Sequence, residues 1–363
     1  MIIDKVNIYS FDLELKRPLK IKSEKVNSRP GYIIEVSAAG TVGYGEISPL
    51  KGFSQESLDD ALNQLKSIRY FLLSDPIPDG VYDLGGRFQD WLGNFELKSS
   101  VIFGIEMAIL NLLANVRSKT LKELLSESVH SHIPINGLLL GEQEEIKLQT
   151  KQLIADGFSA LKLKVGRKDI NEEIKLVREL NEIINGHALL HVDANQAWTL
   201  DEAIFFGNEV SLAAVDYIEE PFKDIDQIPE FFHQTMIPVA LDESLQHHDF
   251  EEIKHIEGAE ILVLKPSVVG GIEKTWKILN DAKRMGLNSV ISSIFESHIG
   301  LLTLANIAGC SFRNNAAGLD TTKCFKDSLL KDPLEIRRGK IEIGSRAVTQ
   351  ADINFDLLKK IKL

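Results

Sequence analysis

The chain has 363 residues, 44% of them hydrophobic and 26% charged, which is enough length for a large core and a second domain. A formal net charge of −12 argues against nucleic acid or an anionic membrane as a partner, because both would be repelled. The two cysteines match no metal or disulfide pattern, and no signal peptide or membrane-length apolar run stands out, so we expect a soluble cytoplasmic protein.

The N-terminal part of the chain has the alternation of antiparallel strands. Apolar and polar residues alternate in three stretches, and Ala39-Gly40 is a predicted turn between the last two: residues 2–15, 31–38 and 41–48. Helical periodicity follows, from Ser54 to about Phe71, with Ser54 as the predicted N-cap and Glu56 in the first turn. A second predicted helix runs from Ser99 to about Asn115. Strands followed by helices predict an α+β unit, to which we assign residues 1–125.

From His132 onward, strands alternate with helices. Eight short apolar stretches are candidate strands: residues 133–140, 160–166, 188–194, 215–220, 237–242, 260–265, 288–293 and about 316–319. Eight parallel strands favour a closed (β/α)7β TIM-like barrel over a doubly wound sheet, since no glycine-rich fingerprint follows the first strand. We assign the barrel to residues 126–325. The remaining segment, 326–363, contains a strand-like patch at Lys340–Ile343 and is predicted to pack back on the N-terminal unit, completing a capping domain.

Ionisable residues end successive predicted strands of the barrel. Because parallel strands all point the same way, these side chains should meet at one mouth: Lys162, Lys164, Asp193, Glu219, Asp242 and Lys265. Each acid alone has a structural interpretation as a turn, a polar strand exit or a helix cap. Three acids at one mouth would repel each other without a cation, and an all-oxygen ligand set suits Mg²⁺ rather than zinc.

The lysines bracket these acids. Lys162 and Lys164 are two residues apart on one strand and therefore point the same way, and mutual repulsion would lower the pKa of one towards that of a usable base. An isolated Lys-x-Lys is more often a pair of solvent-facing lysines on an edge strand. Lys265 follows the sixth strand, opposite the second in an eight-strand ring. Schiff-base chemistry at a strand-end lysine is the alternative, but it does not require three acids; the set favours stabilisation of an enolate beside Mg²⁺.

The set Lys-x-Lys, Asp, Glu, Asp, Lys resembles the enolase superfamily in its muconate-lactonising branch, and within it the o-succinylbenzoate synthases. The similar segments span nearly the whole chain: GYGEISPLKGFSQES (43–57), ING (135–137), KLKVG (162–166), DANQAW (193–198), EEP (219–221), DESL (242–245), LKPSVVGG (264–271), VISSIFES (290–297) and GLDT (318–321). The charged set is specific for the superfamily, whereas GEISPLKGFS and SSIFES favour the synthases. Superfamily sites pair a lysine or histidine base with Mg²⁺.

The resemblance implies a role for each matching residue. Asp193, Glu219 and Asp242 would hold Mg²⁺; Lys164, tuned by Lys162, would remove the proton α to the substrate carboxylate and then protonate the departing hydroxyl, while Lys265 would stabilise the enolate from the opposite face. Asn195, Ser292 and Gly318 would line the substrate pocket, and residues 17–28 and 49–54 match loops that close over such sites. The implied reaction is the syn dehydration of 2-succinyl-6-hydroxy-2,4-cyclohexadiene-1-carboxylate to 2-succinylbenzoate in menaquinone biosynthesis.

The chain departs from the family pattern at two positions, and several alternative functions remain. His191 stands where the resemblance expects an arginine, and Ile294 where it expects a serine, so the binding of the succinyl arm is open. An N-succinylamino acid racemase or dipeptide epimerase would use the same opposed lysines. A cycloisomerase and a non-catalytic ligand-binding barrel are more distant alternatives. The expected partner is a small anionic carboxylate substrate, and the sequence indicates no obligate protein partner.

Overall fold

The computed structural model describes residues 1–21, 24–127, 130–211, 214–311, 313, 315–344 and 347–362, with the side chains at 20, 21 and 24 left undescribed. Two parts with different sheets make up this structure. An antiparallel sheet with helices occupies the N-terminal part, and a curled parallel sheet ringed by helices follows it, as the predicted fold class requires.

The N-terminal sheet is built from a long hairpin. Strands β1 (Lys5–Ile21), β2 (Glu24–Ala38) and β3 (Thr41–Ile47) pair antiparallel in sequence order. Ala39 and Gly40 both have positive φ, as a two-residue hairpin turn requires. The segment 17–28, expected to be a loop, instead continues the β1–β2 hairpin on both sides, and residues 22 and 23 of that expectation lie outside the described residues.

Four helices follow this sheet in the N-terminal part, and α1 and α3 pack against it: α1 (Leu58–Ser74), α2 (Arg87–Leu92), α3 (Ser99–Val116) and α4 (Leu121–Leu125). The N-cap of α1 is Ser57 rather than the predicted Ser54. Ser57 and Asp60 form a reciprocal capping box, whereas the Ser54 hydroxyl accepts from the Leu50 amide at 3.0 Å. Contrary to the expectation from sequence, α3 is long and apolar enough to cross a membrane, but it is 78% buried, as the core helix of a globular protein would be.

The parallel sheet has seven strands in sequence order: β5 (Asn136–Leu139), β6 (Ala160–Lys164), β7 (Leu189–Asp193), β8 (Tyr217–Glu219), β9 (Val239–Leu241), β10 (Ala259–Leu264) and β11 (Asn288–Ile291). The eighth predicted strand is reduced to single bridges at Ala317 and Gly318. The Gly318 amide donates to Ile291 O at 2.9 Å, and the Asn136 amide donates to Ala317 O at 2.9 Å. These bonds join the last strand to the first and close the barrel.

Helices on the outside of the barrel connect its strands: α5 (Gln143–Ala155), α6 (Ile170–Ile184), α7 (Leu200–Val210), α8 (Ile228–Thr235), α9 (Phe250–Ile253), α10 (Pro266–Val269), α11 (Ile272–Met285) and α12 (His298–Ala308). Strand, helix and strand therefore repeat along this part of the chain, as the alternating pattern predicts.

The C-terminal segment makes contacts with both sheets. A small sheet combines β12 (Ile336–Arg337) and β13 (Lys340–Glu342) with β4 (His132–Pro134), so the patch at 340–343 pairs beside the first barrel strand and not with the N-terminal sheet. The last strand, β14 (Lys359–Lys360), pairs with β1. The three domain ranges assigned from sequence stay a prediction.

Buried carboxylates bind helix N-termini across the boundary between the two parts. Glu106 on α3 accepts hydrogen bonds from the Ile272 and Glu273 amides at the start of α11. Glu273 in turn accepts from three amides at the start of α2, including the Gln89 amide at 2.8 Å. A carboxylate at a helix N-terminus satisfies free amides and complements the helix dipole. The two parts are therefore held together by reciprocal capping.

We predict that Glu106 makes the protein less stable as pH rises. Burial raises the pKa of Glu106 to about 8, so the folded chain keeps a proton there that the unfolded chain loses above about pH 4.5. The free energy of unfolding should therefore fall between about pH 5 and pH 8, by at most about 1.4 kcal/mol per pH unit from this group. Glu106→Gln, which resembles the protonated side chain, should remove this part of the slope in urea unfolding.

The matched control is Glu182→Gln on the exposed side of α6, which should leave the pH profile of stability unchanged. Parallel profiles for the wild type and Glu106→Gln over this range would contradict the prediction.

Candidate active site

The predicted strand-end charges lie inside the barrel because they share one parity on neighbouring strands. In the sheet register, Lys164 pairs with Asp193, and Asp193 pairs with Glu219. Asp242 comes directly after β9, and Lys265 directly after β10. The structure thus brings all six predicted charged residues to one end of the barrel, with the acids on the three strands between the two lysine-bearing sides.

Carboxylates and ammonium groups alternate around this mouth. The Lys162 Nζ atom lies 2.7 and 2.6 Å from the two carboxylate oxygens of Glu219 and 3.1 Å from Asp193 Oδ2. The Lys164 Nζ atom lies 3.1 Å from the same Asp193 oxygen. On the opposite side Lys265 pairs with Asp242. Each of the six predicted charged residues therefore has a partner of opposite sign, as burial requires.

These carboxylates change the expected role of Lys162. Burial opposes its charged form, but Asp193 and Glu219 outweigh burial and raise the pKa of Lys162 well above its ordinary value. Lys162 therefore remains a cation held by two acids. Asp193 contacts both ammonium groups, so its negative charge offsets the repulsion between Lys162 and Lys164 that the Lys-x-Lys spacing predicts.

Asn195 orients the Lys164 side chain. Lys164 Nζ donates to Asn195 Oδ1 at 2.7 Å, while the Asn195 amide group donates to Glu243 Oε1 at 3.0 Å. Asn195 has φ +46°, a backbone conformation that is rare outside glycine and is common at functional sites. Asn195, predicted to contact substrate, is thus also in contact with the predicted base.

Two further acids at this mouth, Glu220 and Glu243, are absent from the predicted site. Glu220 accepts hydrogen bonds from the Asp242 amide at 2.7 Å and the Ser244 amide at 2.8 Å, so it fixes the start of the loop after β9. Burial raises the pKa of Glu243 to about 7. In the sequence each of these two acids directly follows a predicted metal ligand, in Glu219-Glu220 and Asp242-Glu243, and this adjacency is the signal that could have identified them.

The donor set at the mouth suits a divalent cation. Five carboxylates stand against three ammonium groups, an excess of two negative charges. Burial, followed by the charge of Asp193, raises the pKa of Glu219 to about 8, which reflects how closely the acids are crowded here. A hard cation with two charges would remove that excess, and carboxylate oxygens are the ligands it prefers. In the part of the chain that the structure describes, no three acids or imidazoles already surround a single point, since lysines stand between the carboxylates.

Ser292 and Gly318 lie together at the seam that closes the barrel. Their backbones form a parallel bridge, and Ser292 Oγ donates to Gly318 O at 3.4 Å. A Cβ atom added at Gly318 would lie 2.4 Å from Ser292 Oγ, so only glycine leaves that hydroxyl where it is. The two residues predicted to contact substrate are therefore in contact with each other.

His191 lies one layer below the mouth, in the interior of the barrel. Its ring stacks on Tyr217 with centroids 4.1 Å apart, and Nε2 lies 3.1 Å from Asp216 Oδ2. Its other ring nitrogen, Nδ1, is buried and has no hydrogen-bond partner among the residues that the structure describes. In the sheet register His191 pairs with Lys162, one layer below the pair formed by Lys164 and Asp193.

Ile294, the second departure, belongs to an apolar cluster at the mouth. It packs against Leu50, and we call this group the roof cluster: Leu19, Val26, Leu50, Phe53, Val268, Ile294 and Phe295. The Phe53 ring lies 4.9 Å from Lys265 Nζ, which places the cluster beside the predicted site. Residues 49–54, predicted to cover the site, thus contribute Leu50 and Phe53 to this surface.

Family models match most of the chain. The model for the enolase C-terminal domain-like family matches residues 145–347, more than half of the chain, and the model for the MenC N-terminal domain matches residues 3–75. The first match contains every predicted charged site residue. The second contains β1 to β3 and the whole of α1.

Curated relatives are similar over nearly the whole chain. An o-succinylbenzoate synthase of Haemophilus influenzae is 30% identical over 90% of this chain and 92% of its own length. The chloroplastic protein PHYLLO of Arabidopsis thaliana is 32% identical over 91% of this chain, which spans only 22% of that much longer protein.

Solved structures share the fold at lower sequence identity. A muconate lactonizing enzyme of Pseudomonas fluorescens superposes with a TM-score of 0.86 and 19% identity, covering 98% of this chain and 97% of that one. The L-Ala-D/L-Glu epimerase of Bacillus subtilis superposes with a TM-score of 0.84 and 21% identity, covering 96% and 98%.

We predict that Lys162 is needed for the stability of the mouth when no divalent cation is present. Lys162→Met leaves Asp193 and Glu219 buried without their shared cation, which should cost about 3 to 5 kcal/mol of the free energy of unfolding. Adding Glu219→Gln should recover much of this loss, because the unpaired charge is then removed. Urea unfolding in the presence of a chelator measures both changes.

The control is Lys147→Met, which breaks surface ion pairs with Glu144 and Glu179 and should cost less than about 1 kcal/mol. A Lys162→Met variant as stable as this control would show that the mouth does not depend on the ammonium group.

Proposed function

We propose that this chain, which belongs to the enolase superfamily, is an enzyme that dehydrates 2-succinyl-6-hydroxy-2,4-cyclohexadiene-1-carboxylate to 2-succinylbenzoate with Mg²⁺. The observation that carries the proposal is the pair of lysines, Lys164 and Lys265, on opposite sides of the row of buried acids. Relatives named o-succinylbenzoate synthase that match the chain almost end to end support this choice of reaction. The proposed setting is menaquinone biosynthesis in the cytoplasm.

The difficulty in this reaction is the weak acidity of a carbon next to a carboxylate. Asp193, Glu219 and Asp242 would hold Mg²⁺, which supplies positive charge to the carboxylate oxygens on which negative charge develops. Lys265 adds a second positive charge from the opposite side. Its contact with Asp242 and its position 4.9 Å from the Phe53 ring both favour the ammonium form.

Lys164 moves the proton. As a free amine it takes the hydrogen α to the carboxylate, and the electron pair of the broken C–H bond enters the carboxylate to form an enolate. The enolate electron pair then forms the new ring C=C bond and the carboxylate is restored, while the C–O bond of the ring hydroxyl breaks and Lys164 returns the same proton to the leaving oxygen, which departs as water. Because one nitrogen serves both steps, hydrogen and hydroxyl leave from the same face. Asn195 Oδ1, 2.7 Å from Lys164 Nζ, keeps that nitrogen directed at the substrate.

A racemase or epimerase is the second candidate. It would use Lys164 on one face of a carbon and Lys265 on the other, and the fold shared with an L-Ala-D/L-Glu epimerase makes this comparison specific. An assay of the purified protein with Mg²⁺ separates the candidates. Dehydration of the cyclohexadiene supports the proposal, whereas turnover of N-succinyl amino acids or dipeptides without dehydration would replace it. Absence of all three activities would favour a non-catalytic barrel.

We predict that Lys164→Ala lowers kcat for dehydration at least about 100-fold, because the only group proposed to move the proton is removed. The variant should fold and bind Mg²⁺ like the wild type, as followed by calorimetry. Lys151→Ala, on the exposed face of α5, is the matched control and should retain full turnover. Activity of Lys164→Ala comparable to that of the control would rule out Lys164 as the base.

We also predict that Gly318→Ala impairs turnover by moving the Ser292 hydroxyl. The new methyl group would lie 2.4 Å from Ser292 Oγ and 3.0 Å from Ser292 Cβ, so the serine must shift. We expect kcat/KM to fall about 10- to 100-fold, as for other small misplacements of a contact group. Adding Ser292→Gly provides space for the methyl group and should restore the melting temperature of Gly318→Ala without restoring kcat/KM. If the double variant regains full activity, Ser292 does not contact the substrate.

A further inference from the structure

Arg29 is a buried arginine that the proposed reaction does not use. It lies on β2 with only 2% of its surface exposed. Burial lowers the pKa of its guanidinium, and the charges of Glu296 and Glu46 oppose this shift. Arginine keeps its proton in proteins, so a full positive charge is buried here and needs hydrogen-bond acceptors.

Those acceptors are backbone carbonyls of two separate segments. On the side of the N-terminal domain, Nη2 donates to Ser48 O at 2.7 Å and Nη1 donates to Pro49 O at 3.3 Å. On the side of the barrel, Nε donates to Phe295 O at 3.1 Å and Nη2 donates to Ile294 O at 3.4 Å. The planar guanidinium presents donors in several fixed directions, so one side chain joins both segments.

The two segments carry most of the roof cluster. Leu50 and Phe53 follow Ser48 and Pro49, while Ile294 and Phe295 are themselves bound by Arg29. The Phe53 ring lies over the Lys265 ammonium group. Any change in the distance between the segments therefore changes the space above Lys265.

Further contacts keep the barrel segment in place. Glu46 on β3 accepts hydrogen bonds from the Ser297 amide at 2.9 Å and the Ser297 hydroxyl at 2.6 Å. Glu296 accepts from Ser267 Oγ at 2.6 Å, two residues after Lys265. The GEIS and SSIFES motifs are thus in direct contact, and Arg29 donates to carbonyls of both.

The backbone at Phe295 is strained. Its φ is +65°, in the left-handed region that a bulky residue rarely adopts. Such a conformation persists only where surrounding contacts hold it, and the Phe295 carbonyl is held by Arg29 Nε. Loss of the guanidinium would let this segment relax.

We propose that Arg29 is a positioning residue that fixes the roof cluster at the height where a ring substrate fits between Lys164 and Lys265. Its effect on KM for the cyclohexadiene rests on the proposed function. The positioning of the two segments does not depend on the identity of the substrate and can be measured without it.

The test uses the full chain with Arg29→Lys and Arg29→Met. Lysine keeps the charge but cannot reach four carbonyls, and methionine keeps only the volume. In both variants we expect KM for the cyclohexadiene to rise about 10- to 100-fold with a smaller fall in kcat. A mere loss of folded protein would lower apparent kcat and leave KM unchanged, so this split separates positioning from stability.

A second measurement needs no substrate. Hydrogen exchange of amides in residues 49–54 and 293–297 should be faster in both variants, while amides in the centre of the β1–β2 hairpin keep their wild-type rates. Arg69→Lys is the matched control, since Arg69 Nε also donates to a buried carbonyl, Val6 O at 3.4 Å, away from the roof cluster. It should change neither KM nor exchange in these segments.

Phe53→Leu keeps the bonds of Arg29 and removes the ring over Lys265, so it covers the case in which the Arg29 variants do not fold. It should also raise KM. The proposal is overturned if Arg29→Lys folds with KM within about twofold of the wild type, if segment exchange is unchanged, or if Phe53→Leu leaves KM unaltered. If wild-type protein fails to dehydrate the cyclohexadiene, the proposed function is wrong, and the exchange measurement still decides the role of Arg29.

Discussion

Negative charge buried inside a barrel must be neutralised before the chain can pack around it. At this mouth the three predicted lysines do so for the acids on β7, β8 and the loop after β9, so that ammonium and carboxylate groups alternate. The same groups that make the mouth stable are those we propose to act on the substrate. A charge that stabilises folding cannot be removed without disturbing chemistry, and this constraint explains why three lysines stand beside so many acids.

The connection between the two parts of the molecule also depends on buried acidic side chains that need partners. Glu46, Glu106 and Glu273 each accept amides at the start of a helix on the other side of the boundary. Helix N-termini have unpaired amides and a partial positive charge, so a buried carboxyl group there has hydrogen-bond donors without a lysine. The N-terminal domain is thereby fixed over the mouth, where Phe53 and Leu50 complete its upper surface.

Much of the barrel and its charged mouth could be predicted from sequence, because alternation in a strand has a strict period of two. Because Lys164 ends one strand, Asp193 and Glu219 at the ends of the next two strands are expected to face the barrel interior with it. Competition between nearby residues for the same structural role is harder to predict. Ser54 and Ser57 are both good caps, but Ser57 forms the capping box with Asp60, whereas the Ser54 hydroxyl accepts from the Leu50 amide. The Lys340–Glu342 strand is too short to select its partner, and the layer of His191 depends on the sheet register.

The closing seam of the barrel is formed by single bridges at Ala317 and Gly318 where a full strand was expected. One of these bridges pairs Gly318 with Ser292, the two residues proposed to line the substrate pocket. Selection for a new substrate would act on the positions that also complete the ring of strands. Changes at this edge are therefore constrained by a trade-off between activity and stability.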